Sequence, residues 1–551
     1  RTIQGTLKEV KRCTQEGIII NTFMLETSHY LLDFIDQLTR EHDFLESLDE
    51  VIELGPSESR WAVILTRMET WPHAPLSDAA LRHIDRALKK AGWEDEHRKV
   101  PARWRALDDP VQREELWQVA RHLDVQQDVF SLKKLDHTRH LEHITFISLD
   151  GPTSMAAFVD ALQNNHLPNH AHLRASSVKL EALSPLFSAE LKTARDQIET
   201  LILWDNQIGP PLAKKLVAAG EWPNLKRLDL GSNNLRGEGL AAIAVLAAPK
   251  LETLQLDWNA IAPEDVTSLV EGIKRWPRLK RLMLSHNTLD SASVASLMQD
   301  APLTQLEVLT LANNPLDDAA VAAIAASPQM AGLKKLVLAR AGITKVGCTH
   351  FEQATFAGLE HLDIGHNATG PDCANSLAKS PFMPKLAALI APENQWNSEA
   401  ISHLTRAGFF PTIHVLNLAN NNLTGKDCER IAAHPVWGDL TALSLQKNPV
   451  GDACAEALAV MPAKLERLLL AHSEMTDFGV LALAKSEKMK ELTKLDVGWN
   501  ALTHVSAEAI TLASFARQLE VLSLEGNTVG DEGLTALLKE RKLPALWSLE
   551  L

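Results

Sequence analysis

From residue 198 to the end of the chain, apolar and polar positions recur with one period. IETLILWDNQI begins at Ile198, LKRLDLGSNNL at Leu225, LETLQLDWNAI at Leu251, LKRLMLSHNTL at Leu279 and LEVLTLANNPL at Leu306. Further units start at 333, 359, 386, 413, 440, 465, 492 and 519, and a stub, LWSLEL, starts at 546. Thirteen full units thus fill 348 residues, about 27 residues each. The first eleven residues of a unit alternate as a half-buried strand does, with the leucines on one face. The remainder, such as GEGLAAIAVLAAP, has apolar residues at helical spacing. Prolines at 223, 249, 277, 384, 411 and 544 stop the helix and extend the chain into the next strand.

The pattern L-x-x-L-x-L-x-x-N-x-L followed by a helix resembles the leucine-rich repeat. Phrases such as NNLRGEGLAAIA and NTVGDEGLTALL narrow the resemblance to the ribonuclease-inhibitor-like subclass, over residues 198–551. Two degenerate units precede it in register, ITFISL at Ile144 and AHLRAS at Ala171. The fold expected is an α/β leucine-rich-repeat solenoid, a horseshoe with a concave parallel sheet and convex helices. Strands sit about 4.8 Å apart while packed helices need about 8–10 Å, so the stack bends towards the sheet. The domain division expected is 1–42, a helical capping region over 43–140, and repeats over 141–551.

The asparagines at 206, 233, 259, 287, 314, 367, 394, 421, 448, 500 and 527 fall where the strand turns into the loop. A buried amide there binds backbone groups that the turn leaves unpaired. Ala341 and Ser473 interrupt the series, and looser turns are expected at both. Cys348, Cys373, Cys428 and Cys454 follow their unit's first residue by 14 or 15 positions. They are read as small apolar residues on the helices' inner face, unpaired, with consecutive helices too far apart for a disulfide. Position 2 alternates in charge, through Glu199, Lys226, Glu252, Lys280, Glu307, Lys334 and Glu360, a register-fixing ladder on adjacent strands.

Within residues 1–42, GIIINTFML is a continuous apolar run suited to a central parallel strand. With its flanking helices it resembles the last strand–helix unit of a von Willebrand factor A domain. That family binds a metal through a DxSxS motif, which this chain lacks, so no metal residues are carried over. In 43–140, LSDAALRHIDRALKKAGW and DDPVQREELWQVARHL read as amphipathic helices, capped by Ser77 and Asp109. The start at Arg1 and the apolar strand pattern at Leu551, with a bare sheet edge beyond it, suggest a piece of a longer protein.

Charge and composition narrow the function. The net charge of −15 excludes a domain-wide basic footprint for nucleic acid, and no apolar run is long enough to span a membrane. No GxSxG or HExxH occurs. GITKVGCT at Gly342 has phosphate-loop spacing, but Cys348 stands where the lysine belongs. His137, His140, His143, His166, His170 and His172 crowd together without a completing cysteine or carboxylate and are read as solvent-facing. No catalytic residue, metal or cofactor is assigned. The unpaired cysteines favour a cytoplasmic location and make the sequons at Asn367 and Asn422 accidental.

Binding is expected on the exposed side of the sheet, where positions 3, 5 and 7 point outward and position 8 forms the rim. The candidate binding residues are Trp204, Asp205, Arg227, Asp229, Asp257, Trp258, Arg281, His286, Arg340, His366, Lys447, His472 and Trp499. Lys335, His361, Asp363, Arg467 and Lys494 share that face. Tryptophan and arginine dominate interface hot spots, which singles out Trp204 and Trp258 with Arg227 and Arg281 as an anchor. The expected function is a non-enzymatic scaffold binding a protein partner, with neither nucleic acid nor membrane involved. Ran GTPase-activating proteins share the repeat class, so a GTPase-activating regulator is an alternative; metal-dependent adhesion through a missing upstream A domain is another.

Overall fold

A computed structural model describes residues 180–206, 209–406, 413–538, 542–546 and 548–551, with short stretches at 19–20, 122–125, 146–150, 158–159, 162, 171–176 and 178. The chain divides into two compact units. The first comprises Asp36–Thr288 and Asp300–Leu303; the second comprises Arg1–Ile35, Leu289–Gln299 and Thr304–Leu551.

The strands, in chain order, are β1 (Ile19–Ile20), β2 (His122–Val125), β3 (Phe146–Asp150), β4 (His172–Ser176), β5 (Thr200–Ile202), β6 (Arg227–Asp229), β7 (Thr253–Gln255) and β8 (Arg281–Met283). They continue as β9 (Val308–Thr310), β10 (Lys335–Val337), β11 (His361–Asp363), β12 (Ala388–Ile390), β13 (Val415–Asn417), β14 (Ala442–Ser444), β15 (Arg467–Leu469), β16 (Lys494–Asp496), β17 (Val521–Ser523) and β18 (Ser548–Glu550). In the first unit β2 to β8 pair in parallel, each with the next. The register sets position 3 against position 3, as in Thr200↔Arg227 and Arg227↔Thr253. The second unit repeats the arrangement from β9 to β18. Each repeat's helix follows its strand, as Gly209–Ala218 follows β5 and Gly451–Ala459 follows β14. This is an α/β leucine-rich-repeat solenoid.

The leucines at positions 1, 4 and 6 make the core: Leu225, Leu228 and Leu230 are fully buried, as are Leu465, Leu468 and Leu470. Burying such side chains contributes about 1.5–3 kcal/mol each. Both degenerate units supply strands in register, Phe146↔His172 and His172↔Thr200. The sheet extends one strand further than expected. HLDV, at the end of a segment read as helical, forms β2 and pairs with β3. The edge expected to be bare beyond Leu551's strand is covered, since β18 pairs with β1 through Ile19↔Ser548 and Ile20↔Leu549. Of the resemblance over 1–42 only those two isoleucines are described; Ser77, Asp109 and the histidines other than His172 lie outside the described residues.

The asparagine ladder forms as expected. Asn233 is buried; its Nδ2 donates to the carbonyls of Leu203, Leu230 and Gly231, and its Oδ1 accepts from Asn206 N. The turns at Ala341 and Ser473 are not loosened. Arg340 and His472 before them keep φ of 53° and 52°, and the Oδ1 atoms of Asn367 and Asn500 take the N–H groups of Ala341 and Ser473. The missing amides are felt one repeat earlier. There Leu316 N donates to Asn314 O and Val450 N to Asn448 O, each at 2.8 Å, replacing the bond that a ladder amide would accept.

The cysteines overturn their expected reading. Cys348–Cys373 and Cys428–Cys454 are disulfides, each with Cα atoms 5.1 Å apart. One cysteine of each pair stands at position 16 and the other at position 15 of the next repeat; each is the fourth residue of its repeat's helix, and there the first turns of successive helices approach more closely than the usual spacing of helix axes. Pairing removes the ground for a cytoplasmic location, because such bonds are rare where thiols are kept reduced. It also ties Cys348, the residue in the lysine place of GITKVGCT, into the helical layer.

Candidate functional site

Position 8 has an uncommon backbone. Asp205, Ser232, Trp258, His286, Asn313, Arg340, His366, Glu393, Asn420, Lys447, His472 and Trp499 all have φ between 52° and 59°. This left-handed region costs a non-glycine residue roughly 1 kcal/mol. Only the repeat beginning at 519 uses glycine there, Gly526 at φ 68°. Backbone bonds to the next repeat hold the turn, as from Arg340 N to Gly365 O and from His472 N to Gly498 O, so the position 8 side chain is free to vary and stands at the rim of the sheet.

In the first unit, Trp258 is 53% exposed and stacks on His286 with ring centroids 3.7 Å apart and planes 12° apart. Trp204 is placed differently: it is half-buried, and its ring covers Gly231, where a Cβ would fall 2.0 Å from the indole. Asp205, at the rim, accepts a hydrogen bond from the Ser232 hydroxyl at 3.2 Å. Between these rim groups lies a polar network. Arg227 donates to Gln255 Oε1 at 2.6 Å and lies 3.7 Å from Asp229. Asp229, almost buried, accepts the Gly231 N–H, and Asp257 accepts the Ser285 N–H at 2.7 Å. Burial pushes both carboxyls above the usual carboxylate range, and the charge of Asp229 raises Asp257 further. Arg281 projects from β8 into solvent.

In the second unit the rim carries Arg340, His366 and Glu393 in one chain of contacts. An Arg340 guanidinium nitrogen lies 3.4 Å from His366 Nδ1, and Glu393 lies 2.9 Å from the same nitrogen. The hydrogen bond to His366 holds the Glu393 carboxyl below its ordinary value. Further on, Lys447 is exposed, and His472 stacks on Trp499 at 5.2 Å and 9°. On the strands, Asp363 and Asp496 each accept the N–H of the glycine two residues on, at 2.9 and 3.1 Å. Burial raises both carboxyls. His361 is pushed down to about 4 by burial and by the charge of Lys335.

The predicted residues thus fall into rim clusters at Trp258–His286, Arg340–His366 and His472–Trp499 and into groups on the strands, each described within its own unit. What sequence reasoning missed is the left-handed rim and the glycines beneath the rings of Trp204 and Trp499. The signal was present in D-x-G at 229–231, 363–365 and 496–498 and in Gly231 and Gly526 opposite tryptophans. Among the described residues no cluster of histidine, cysteine and carboxylate is suited to a metal, and no helix is long and apolar enough to cross a membrane.

A leucine-rich-repeat family model matches residues 223–244 and 517–538. The chain is 28% identical over 395 residues to the Homo sapiens NACHT, LRR and PYD domains-containing protein 5, covering 67% of this chain and 30% of that protein. It is 25% identical over 341 residues to the Sus scrofa ribonuclease inhibitor, covering 58% of this chain and 69% of the inhibitor. The chain therefore spans less than a third of the human relative's length. Among solved structures it is similar to yeast Rad7 in complex with Elc1 (16% identity, TM-score 0.47, 69% of this chain and 85% of that one). It is also similar to an internalin from Listeria monocytogenes (19% identity, TM-score 0.38, 57% and 85%). The repeats of this chain are leucine-rich repeats of the ribonuclease-inhibitor-like kind. None of these matches bears on the von Willebrand factor A-like reading of 1–42.

Proposed function

We propose that the chain is a non-enzymatic scaffold that holds a protein partner on the open face and rim of its sheet. One observation carries the reading: Trp258, held in a left-handed turn and stacked on His286, leaves half its indole in water. An exposed, immobilised tryptophan loses little entropy on binding and is the residue type that dominates hot spots. The two-tryptophan anchor narrows to Trp258, because Trp204 has a packing role over Gly231. Arg281, exposed on the neighbouring strand opposite Thr253, supplies a polar group on the same sheet face, as interfaces are built.

Photo-crosslinking tests this. A benzophenone amino acid at position 258 should capture the partner, while one at Val245, exposed on the helical side, should not. With the captured partner in hand, Trp258→Ala should weaken binding by about 2 kcal/mol or more and leave the melting temperature unchanged. Equal capture from both positions, or an unchanged affinity, would refute the assignment.

A further inference from the structure

We infer that the open face of β15 and β16 receives an acidic segment of the protein partner, one that carries an apolar or aromatic residue beside its carboxylates. This rests on the scaffold reading and adds the chemistry of what is held.

Arg467 and Lys494 are direct partners on neighbouring strands, both at outward position 3. Their outer neighbours in that row, Ala442 and Val521, carry no charge. Like charges directly opposite one another destabilise a sheet. The fold neutralises its position 2 lysines, pairing Lys226 with Glu199, Lys280 with Glu252 and Lys334 with Glu307. Among the described residues, neither Arg467 nor Lys494 has such an ion pair. Asp496 feels the charge of Lys494, but its own oxygens are taken up by the Gly498 N–H and by the Gln446 amide. Two adjacent cations therefore face outward on a chain whose net charge is −15.

Beside them the rim provides a fixed aromatic surface. His472 and Trp499 stack, and Trp499 rests on Gly526, where a Cβ would come within 2.5 Å of the indole. Trp499 stays 51% exposed, and Lys447 stands one repeat before His472 at the same rim position. Carboxylates over the two cations would relieve their repulsion, and an apolar side chain would cover the indole. Glu525 and Glu550 border the patch on the β17–β18 side. That acidic border turns away a long polyphosphate running across the strands, which favours a short acidic protein segment over a nucleic acid.

The test uses the full chain and a fluorescein-labelled peptide with glutamates on both sides of a phenylalanine. Its lysine counterpart and a short single-stranded oligothymidylate serve as comparisons. Fluorescence anisotropy should show binding of the acidic peptide alone, weakening as salt is raised. Arg467→Glu should weaken it about tenfold or more while the melting temperature holds or rises, because the new carboxylate pairs with Lys494. Lys345→Glu, on the helical side, should change nothing. Unaltered peptide affinity in Arg467→Glu, a fall in its melting temperature, or tighter binding of the oligothymidylate would each overturn the inference. If cross-linking from position 258 succeeds while Arg467→Glu has no effect on the peptide, the acidic-segment assignment falls and the scaffold reading stands; if position 258 also captures nothing, both fall.

Discussion

Replacing Asn448 by alanine probes what holds each turn. Its side chain is fully buried. Nδ2 donates to the carbonyls of Leu418, Leu445 and Gln446 at 2.9, 3.0 and 3.2 Å. Oδ1 accepts from Asn421 N and Leu423 N at 2.8 and 3.0 Å. Alanine strands two buried N–H groups, at about 1–3 kcal/mol each. The carbonyls matter less, since an under-satisfied C=O is tolerated better than an orphaned N–H. The natural interruptions show how far the chain relaxes. Before Ala341 and Ser473, the N–H of Leu316 or Val450 turns to the carbonyl two residues back. By the same move Leu423 N would reach Asn421 O, leaving Asn421 N alone unpaired. The expected loss is therefore about 2–3 kcal/mol rather than the uncompensated sum of about 4. Repeat arrays open locally, so the assay is hydrogen exchange resolved by repeat, with protection falling most over 413–464. A loss below about 0.5 kcal/mol, or one spread evenly over the second unit, would refute the argument that this amide carries the turn.

Two further perturbations follow from the same geometry. The disulfides close loops of 25 and 26 residues and should each contribute about 3 kcal/mol, so reductant should lower the melting temperature of the second unit. Alkylating the denatured, unreduced protein should mark only Cys13 of the five cysteines, and mass spectrometry showing five modified thiols would refute the pairing. For His361, the folded value of about 4 lies below the ordinary 6.5, so the unfolded chain takes up the proton first and stability is lost as pH falls from 6.5 towards 4. His361→Gln should gain on the wild type across that window in paired melts, and a constant gap between them would count against a buried neutral imidazole. The raised carboxyls of Asp229, Asp257, Asp363 and Asp496 act in the opposite sense, being protonated first in the folded state, which is why the paired comparison is needed.

The repeat register was legible in the sequence because one leucine pattern is printed thirteen times, and a single misread unit changes nothing. Even ITFISL and AHLRAS, without the asparagine, kept the apolar alternation that places them in the sheet. The cysteines were misread because helix axis spacing was applied to buried residues in the first turns of successive helices. There Cys348 and Cys373 approach to 5.1 Å. Position within the repeat, not element type, decides that distance. HLDV was misread because a helical pattern ran into it from Asp109, and only pairing with β3 makes it a strand. For the candidate site, the repeat register placed the residues in their rows but did not give their conformations. Trp204 and Trp258 differ by one position in the repeat, 7 against 8, and the glycine one repeat on from Trp204 gives that ring a place to lie.

A turn that is over-determined elsewhere leaves the side chain at position 8 without a part in the core. Leucines at positions 4 and 6 fix the strand, and the position 8 N–H donates to a carbonyl of the next repeat even where no asparagine follows, as from Arg340 to Gly365 and from His472 to Gly498, so position 8 stays in the left-handed region whatever residue stands there. Twelve repeats, with eight different residue types at that position from aspartate to tryptophan, hold φ within 52° to 59°. Asparagine and glycine would relieve the strain at no cost to the core, yet arginine, lysine, histidine and tryptophan are used. The penalty is thus accepted for side-chain identity rather than for the backbone. Trp258 and Trp499, both stacked and both about half exposed, carry that penalty, which is what the proposed reading of the rim by a partner requires.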